Sequence, residues 1–124
     1  MITFTIPGKP QPKQRPRTVR RGNKSTTYTP DATKKAEDRI KQIAHITMLQ
    51  AKQKPFECPV CVTMTFHVER RATATPDLDN LVKVVGDAIN KVVYKDDSQV
   101  VLMEARKFQD KENPRTIVSV WGVE

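Results

Sequence analysis

Between Val60 and Val92 the apolar residues change period, and the change points to a sheet that carries helices. Val60, Val62, Met64, Phe66 and Val68 alternate with Cys61, Thr63, Thr65 and His67, the period of two that marks a strand with one buried face. Further on, Leu78, Leu81, Val82, Val85, Ala88, Ile89 and Val92 fall within an arc of roughly 120° on a helical wheel. That spacing predicts a helix from about Asp79 to Val92. A second helix is expected from about Pro30 to Lys52, with Ala36, Ile40, Ile43, Ala44 and Thr47 on one face. Thr29 suits its N-cap and Pro30 its first helical position.

Strands account for much of the rest. Ile2, Phe4 and Ile6 alternate with Thr3 and Thr5, and Thr18 to Tyr28 reads as a hairpin turning at Gly22-Asn23. Gln99 to Lys107 and Arg115 to Val123 read as two last strands, joined as a hairpin through Asp110 to Pro114. The 124 residues suit one domain. The order β-(hairpin)-α-β-α-β-β predicts an α+β (mixed α/β) domain, a small sheet of about four strands with two helices packed on it.

Charge is unevenly distributed. The chain carries +8 overall, but residues 1–54 hold 13 Lys/Arg against three acids, whereas residues 55–124 hold nine against 11. A basic half of this kind points to a polyanionic partner. No apolar run approaches 18 residues, so no membrane span is expected. The start, Met1 to Ile6, puts apolar residues ahead of basic ones, the reverse of a secretory signal, and a cytoplasmic location is expected. Cys58 and Cys61 form one Cys-x-x-Cys pair with no second pair after it, and His45 and His67 are isolated. A zinc site needs four ligands, so the cysteines read as small residues opening a strand.

The chemistry sits in Pro76-Asp77-Leu78-Asp79-Asn80-Leu81-Val82-Lys83 and in Tyr94-Lys95-Asp96-Asp97-Ser98-Gln99. A purely structural account exists. Thr75-Pro76-Asp77 can open a helix, as Thr29-Pro30-Asp31 does earlier, and Lys95 to Ser98 can be a turn. Taken together, however, the pieces line up. Asp79, Lys83 and Asp87 stand at i,i+4 intervals on the polar face of the second helix. If Asp77 to Asp79 is extended, both carboxylates point the same way, and Asp96 and Asp97 return to the sheet nearby.

Two bare carboxylates ~5 Å apart repel by about 3 kcal/mol at an effective dielectric of ~20, and a divalent cation reverses that sign. Oxygen-only ligands select Mg²⁺, with Mn²⁺ as a substitute. Carboxylate-bound metal beside a lysine is equipment for phosphodiester hydrolysis.

Asp77-Leu78-Asp79-Asn80-Leu81-x-Lys83, then Asp87-Ala88-Ile89, then Asp96-Asp97-x-Gln99-Val100 resembles the signature of RusA-type Holliday junction resolvases, the crossover junction endodeoxyribonucleases. The likeness is specific over the central 24 residues and looser over the whole chain. It implies a Mg²⁺-dependent homodimeric endonuclease that cuts four-way DNA junctions by paired symmetric nicks in recombination and repair. It implies catalytic, metal-binding roles for Asp77, Asp79 and Asp97, and a catalytic role for Lys83 that either stabilises charge or orients water. The spacing from Lys83 to the Asp-Asp pair is about one residue shorter than in the family pattern. Asp96 and Asp97 therefore both remain candidates for the third ligand, and Asp97 is favoured because it stands two residues before Gln99.

Asn80, Asp87 and Asp96 are expected to support the ligands. Lys9, Lys13, Arg15, Arg17, Arg20, Arg21 and Lys24, within a proline-rich segment at about 8–24, are expected to follow the phosphate backbone. Arg70 and Arg71, just before the acidic motif, are expected to hold a junction arm. Two other readings stand beside this one: a non-catalytic basic DNA-binding or architectural protein, and a metal-dependent nuclease acting on other branched DNA.

Overall fold

The computed structural model describes residues 1–14, 17–28 and 30–123. In chain order the elements are β1 (Ile2–Pro7), β2 (Arg17–Arg21), β3 (Lys24–Tyr28), α1 (Asp31–Gln50), β4 (Val60–Val68), α2 (Leu78–Ile89), β5 (Val100–Gln109) and β6 (Arg115–Gly122). Single turns of 3-10 helix at Ala72–Ala74 and Asp97–Gln99 lead into α2 and β5. The fold is α+β, as the periodicity predicts. β1, β6, β4 and β5 form a four-stranded mixed sheet in that order, and β2 and β3 form a separate hairpin. Arg21 pairs with Lys24, so the turn falls at Gly22-Asn23, and Gly22 takes the positive φ of 62° that glycine tolerates best.

α1 and α2 pack on each other, on β1 and on β5, so both cover one face of the sheet. That face is apolar because alternation delivers Ile2, Phe4 and Ile6 from β1, Val60 to Val68 in steps of two from β4, and Val118 and Val120 from β6. From the helix layer Ile40, Ala44 and Met48 of α1 and Leu81, Val84, Val85, Ala88 and Ile89 of α2 close the core. α2 begins one residue before the expected start and ends at Ile89. Val92, Val93 and Tyr94 are still buried, although they lie in the turn beyond the helix.

α1 begins at Asp31, with Pro30 in the N-cap position and no side-chain cap. The Thr29 expected there lies outside the described residues. The helix stops at a left-handed residue, Lys52 at φ 52°. Gln53 N–H donates to Met48 C=O at 3.0 Å and Lys52 N–H to Leu49 C=O at 3.1 Å, the paired bonds of a Schellman motif.

The expected β5–β6 hairpin does not form. β5 runs parallel to β4, and β6 lies on the other side of β4, antiparallel to it and to β1. The reason is the β4–α2–β5 crossover: a helix laid back over the sheet returns the next strand parallel to the first. The most apolar strand, β4, then takes a neighbour on each edge, and the chain passes over its end to start β6. Asp110 N–H donates to Val68 C=O at 2.7 Å and ties that crossing.

Candidate active site at the start of the second helix

The segment between β4 and α2 is held by a lysine from the edge strand. Lys107 lies opposite Phe66 in the β4–β5 register and so points to the helix side of the sheet. Its Nζ donates to the carbonyls of Ala72 at 2.6 Å and Pro76 at 3.0 Å. Thr75 Oγ1 also donates to Ala72 C=O at 2.9 Å, closing the turn. Pro76 keeps the backbone extended into Asp77, and α2 starts at the next residue.

Asp77 occupies the N-cap of α2, yet its carboxylate makes no cap hydrogen bond. Its backbone C=O instead accepts from Asn80 N–H at 3.1 Å and Leu81 N–H at 3.2 Å. Aspartate at this position normally spends its side chain on the free amides, so the simple capping account of Asp77 fails here. Asp79 sits in the first helical turn, where the helix dipole favours negative charge. Asp77, Asp79 and Lys83 are all exposed. None of the three takes part in an ion pair among the described residues.

Asp96 and Asp97 differ sharply in what they do. Asp96 accepts from Ser98 N–H at 3.0 Å, and its own N–H donates to Gln99 Oε1 at 2.8 Å, a capping box for the short turn. The Ser98 hydrogen bonds hold its carboxyl below the usual aspartate range. Asp97 is exposed and outside that box. It stands within electrostatic reach of the buried Tyr94, whose phenol is pushed up to about 12, first by burial and then by Asp97 and Asp87. Asp97 leads into β5 at the end of the sheet where α2 finishes, while Asp77 and Asp79 stand at the start of α2. Among the described residues no group of three His, Cys, Asp or Glu side chains is placed to hold a metal ion.

Asp87 has a further partner. Lys13 Nζ lies 2.7 Å from Glu37 Oε1 and 3.1 Å from Asp87 Oδ2. The Glu37 hydrogen bond does most to hold its ammonium above the ordinary lysine value, burial opposes it, and Asp87 adds to it. Lys13 N–H donates to Asn80 C=O at 3.0 Å, and Gln14 N–H to Oγ1 of the buried Thr33 at 3.1 Å. The proline-rich segment is thus seated across both helices, one turn from Asp77. Lys13, expected on phosphate, is engaged in this seat.

The chain leaves the seat toward the β2–β3 hairpin, where Arg20, Arg21 and Lys24 are exposed, as is Lys9 before it. Arg15 lies outside the described residues, and Arg17 is described only as the first residue of β2. Arg70 and Arg71 are exposed beside the acidic loop, with Arg70 Nε 3.8 Å from Glu69.

The sequence matches the family described as Endodeoxyribonuclease RusA over residues 7–121. The chain belongs to the RusA endodeoxyribonuclease family. It is 38% identical over 76 residues to "Crossover junction endodeoxyribonuclease rusA" of Lactococcus phage r1t, covering 50% of this chain and 58% of that one. It is also 52% identical over 50 residues to "Uncharacterized protein YqaN" of Bacillus subtilis strain 168, covering 40% of this chain and 34% of that one. In each case the matched segment spans less than two thirds of the relative.

No described helix is long and apolar enough to cross a membrane.

Sequence reasoning missed Lys107, Glu37 and Thr33. Lys107 left one trace: in the alternation of β5 it shares a face with Val101, Met103 and Ala105, and a lysine at a core register needs a partner. The other two meet their partners only through tertiary contacts, and no local pattern marks them.

Proposed function

We propose that this RusA-family protein resolves four-way DNA junctions, as a homodimer, by paired symmetric nicks that depend on Mg²⁺, with Mn²⁺ as a substitute, in recombination and repair. The observation that carries the reading is the Asp77 carboxylate, left uncapped at a helix N-terminus beside Asp79 in a loop clamped by Lys107. Mg²⁺ commonly binds through one or two carboxylates and completes its shell with water and substrate phosphate, so an all-protein cage is not required. Asp77 and Asp79 fit that demand. Bound there, Mg²⁺ supplies charge neutralisation at the scissile phosphate and a more acidic water.

The chain's own groups do the remaining work. Lys83, one turn beyond Asp79, faces the same solvent and places a cation where phosphoryl charge develops. The role of Asp97 as a third carboxylate rests on its place in the acidic motif, since within one chain it follows the end of α2 while Asp77 and Asp79 stand at its start. Asn80 and Asp87 bear the seat of the basic segment, whose hairpin carries the exposed Arg20, Arg21 and Lys24. Basic groups gather the polyanion, and the aspartates hold the metal that lets a phosphate approach.

The test is cleavage of a labelled four-way junction against linear duplex, by wild type and Asp79→Asn, in Mg²⁺ and in EDTA. Paired nicks by wild type only with metal, and binding without cutting by the variant, are the expected results. If neither protein cuts under any divalent metal while both bind, the acidic loop is not a nuclease site. Equal cutting of flaps and junctions would move the substrate to branched DNA in general.

A further inference from the structure

The two edges of the four-stranded sheet are built differently. β1 has six residues, exposes only Thr3, Thr5 and Pro7, and ends on a proline. β5 has ten residues, and Val101, Leu102, Met103 and Phe108 along it are 63%, 42%, 41% and 46% exposed. A long apolar edge is an invitation to pair with another strand, and proteins usually guard it with charge or proline. β5 has three charged residues, and one of them, Lys107, is turned inward to the Ala72–Pro76 loop. Only Glu104 and Arg106 are left at the edge. They are opposite in sign, both exposed, and without an ion-pair partner among the described residues.

Their placement is symmetric about Ala105. Reading outward from Ala105, Glu104 is matched by Arg106 and Leu102 by Phe108. All four lie on the open face of the sheet, opposite Cys61, Thr63, Thr65 and His67 of β4. A second β5 laid antiparallel, with a two-fold axis at Ala105, sets each glutamate against the partner's arginine and each leucine against the partner's phenylalanine. Cross-strand pairs of both kinds are stabilising, and like charges directly opposed are not. Moving the axis to Glu104 or Arg106 opposes identical charges, which disfavours the two adjacent registers.

We propose that the outer edge of β5 takes β5 of a second copy of this chain, antiparallel and centred on Ala105, joining the two sheets into one. The contact is isologous, as a two-fold dimer requires. It leaves both helix layers on the same face of the joined sheet. Both Asp77 loops, each tied to its own β5 by Lys107, then face the same side, where one junction can meet them. The inference rests on the dimeric reading above and adds its interface.

The full-length protein is examined by sedimentation equilibrium over a range of concentrations. Glu104→Arg and Arg106→Glu each turn two attractive pairs into two repulsive ones and should raise the dimer dissociation constant about 30-fold. The double variant Glu104→Arg/Arg106→Glu exchanges the charges and should return to within about threefold of wild type. Ala105→Cys in a Cys58→Ser background should form a disulfide-linked dimer on mild oxidation, because residues facing each other across the axis stand ~4.5–5.5 Å apart at Cα.

A monomeric wild type overturns the proposal. So does a dimer indifferent to the single exchanges, or a double exchange that fails to restore it. Junction cleavage is scored separately. A dimer with these properties that does not cut leaves the interface standing and sinks the resolvase reading, whereas a monomer that cuts does the reverse.

Discussion

Lys107→Met removes one cation from a half-buried position and leaves two backbone carbonyls, those of Ala72 and Pro76, without their donor. A hydrogen bond to a charged group is worth about 1.5–3 kcal/mol, and an orphaned buried acceptor carries a similar penalty. Water reaches part of this position, so the net loss in stability is expected to be about 2 kcal/mol, a fall of about 8 °C in Tm. That leaves the domain folded, since domains of this kind are stable by 5–15 kcal/mol.

The larger effect falls on the reaction. Pro76 precedes Asp77, and a displacement of ~1 Å at a reacting group costs about 100-fold. The assay is single-turnover cleavage of a four-way junction at saturating enzyme, with junction affinity and thermal melting measured on the same samples. Cleavage should fall about 100-fold while affinity stays within about threefold, and Lys107→Arg should recover part of the rate. Cleavage at the wild-type rate with the same loss of Tm would show that Lys107 only holds the fold together, and the positioning argument would be refuted. A weaker junction complex whose salt slope falls by about one would mean that Lys107 contacts a phosphate instead.

Four other outcomes follow from the geometry. Glu37→Gln/Asp87→Asn should lower cleavage by loosening the Lys13 seat; a gain in junction affinity without that loss would show that Lys13 serves phosphate when released. Tyr94 ionises near 10 when unfolded and at about 12 in the fold, so the folded state holds the extra proton between those values. The stability this favours is complete below pH 10 and is lost as pH rises toward 12, by up to about 3 kcal/mol, and Tyr94→Phe should flatten the Tm profile over that window. Lys52→Gly relieves a left-handed residue at the end of α1 and should raise stability by about 1 kcal/mol, read from urea denaturation. Asp97→Asn should abolish cleavage with Tm unchanged, while Asp96→Asn should lower Tm through the capping box; the reverse pattern would exchange their roles.

Alternation and helical spacing by themselves determined which residues enter the core and which class of fold results. One buried face demands a period of two in a strand and about 3.6 in a helix, and both demands are written locally. The same holds for the Gly22-Asn23 turn, for the acidic motif, and for the charge that gathers in the first 54 residues.

What the sequence left open was everything that depends on which element lies beside which. β5 and β6 read as a hairpin because they are neighbours in the chain, yet the crossover by α2 sets β4 between them. Asp77 reads equally well as cap or ligand until the structure leaves its carboxylate uncapped. Lys13 reads as one of seven basic residues until it meets Glu37, 24 residues away. Lys107 reads as a surface lysine until it meets Pro76 across 31 residues. Such contacts depend on the path of the whole chain, because a side chain only a few ångströms long finds its distant partner after packing has brought the two elements together.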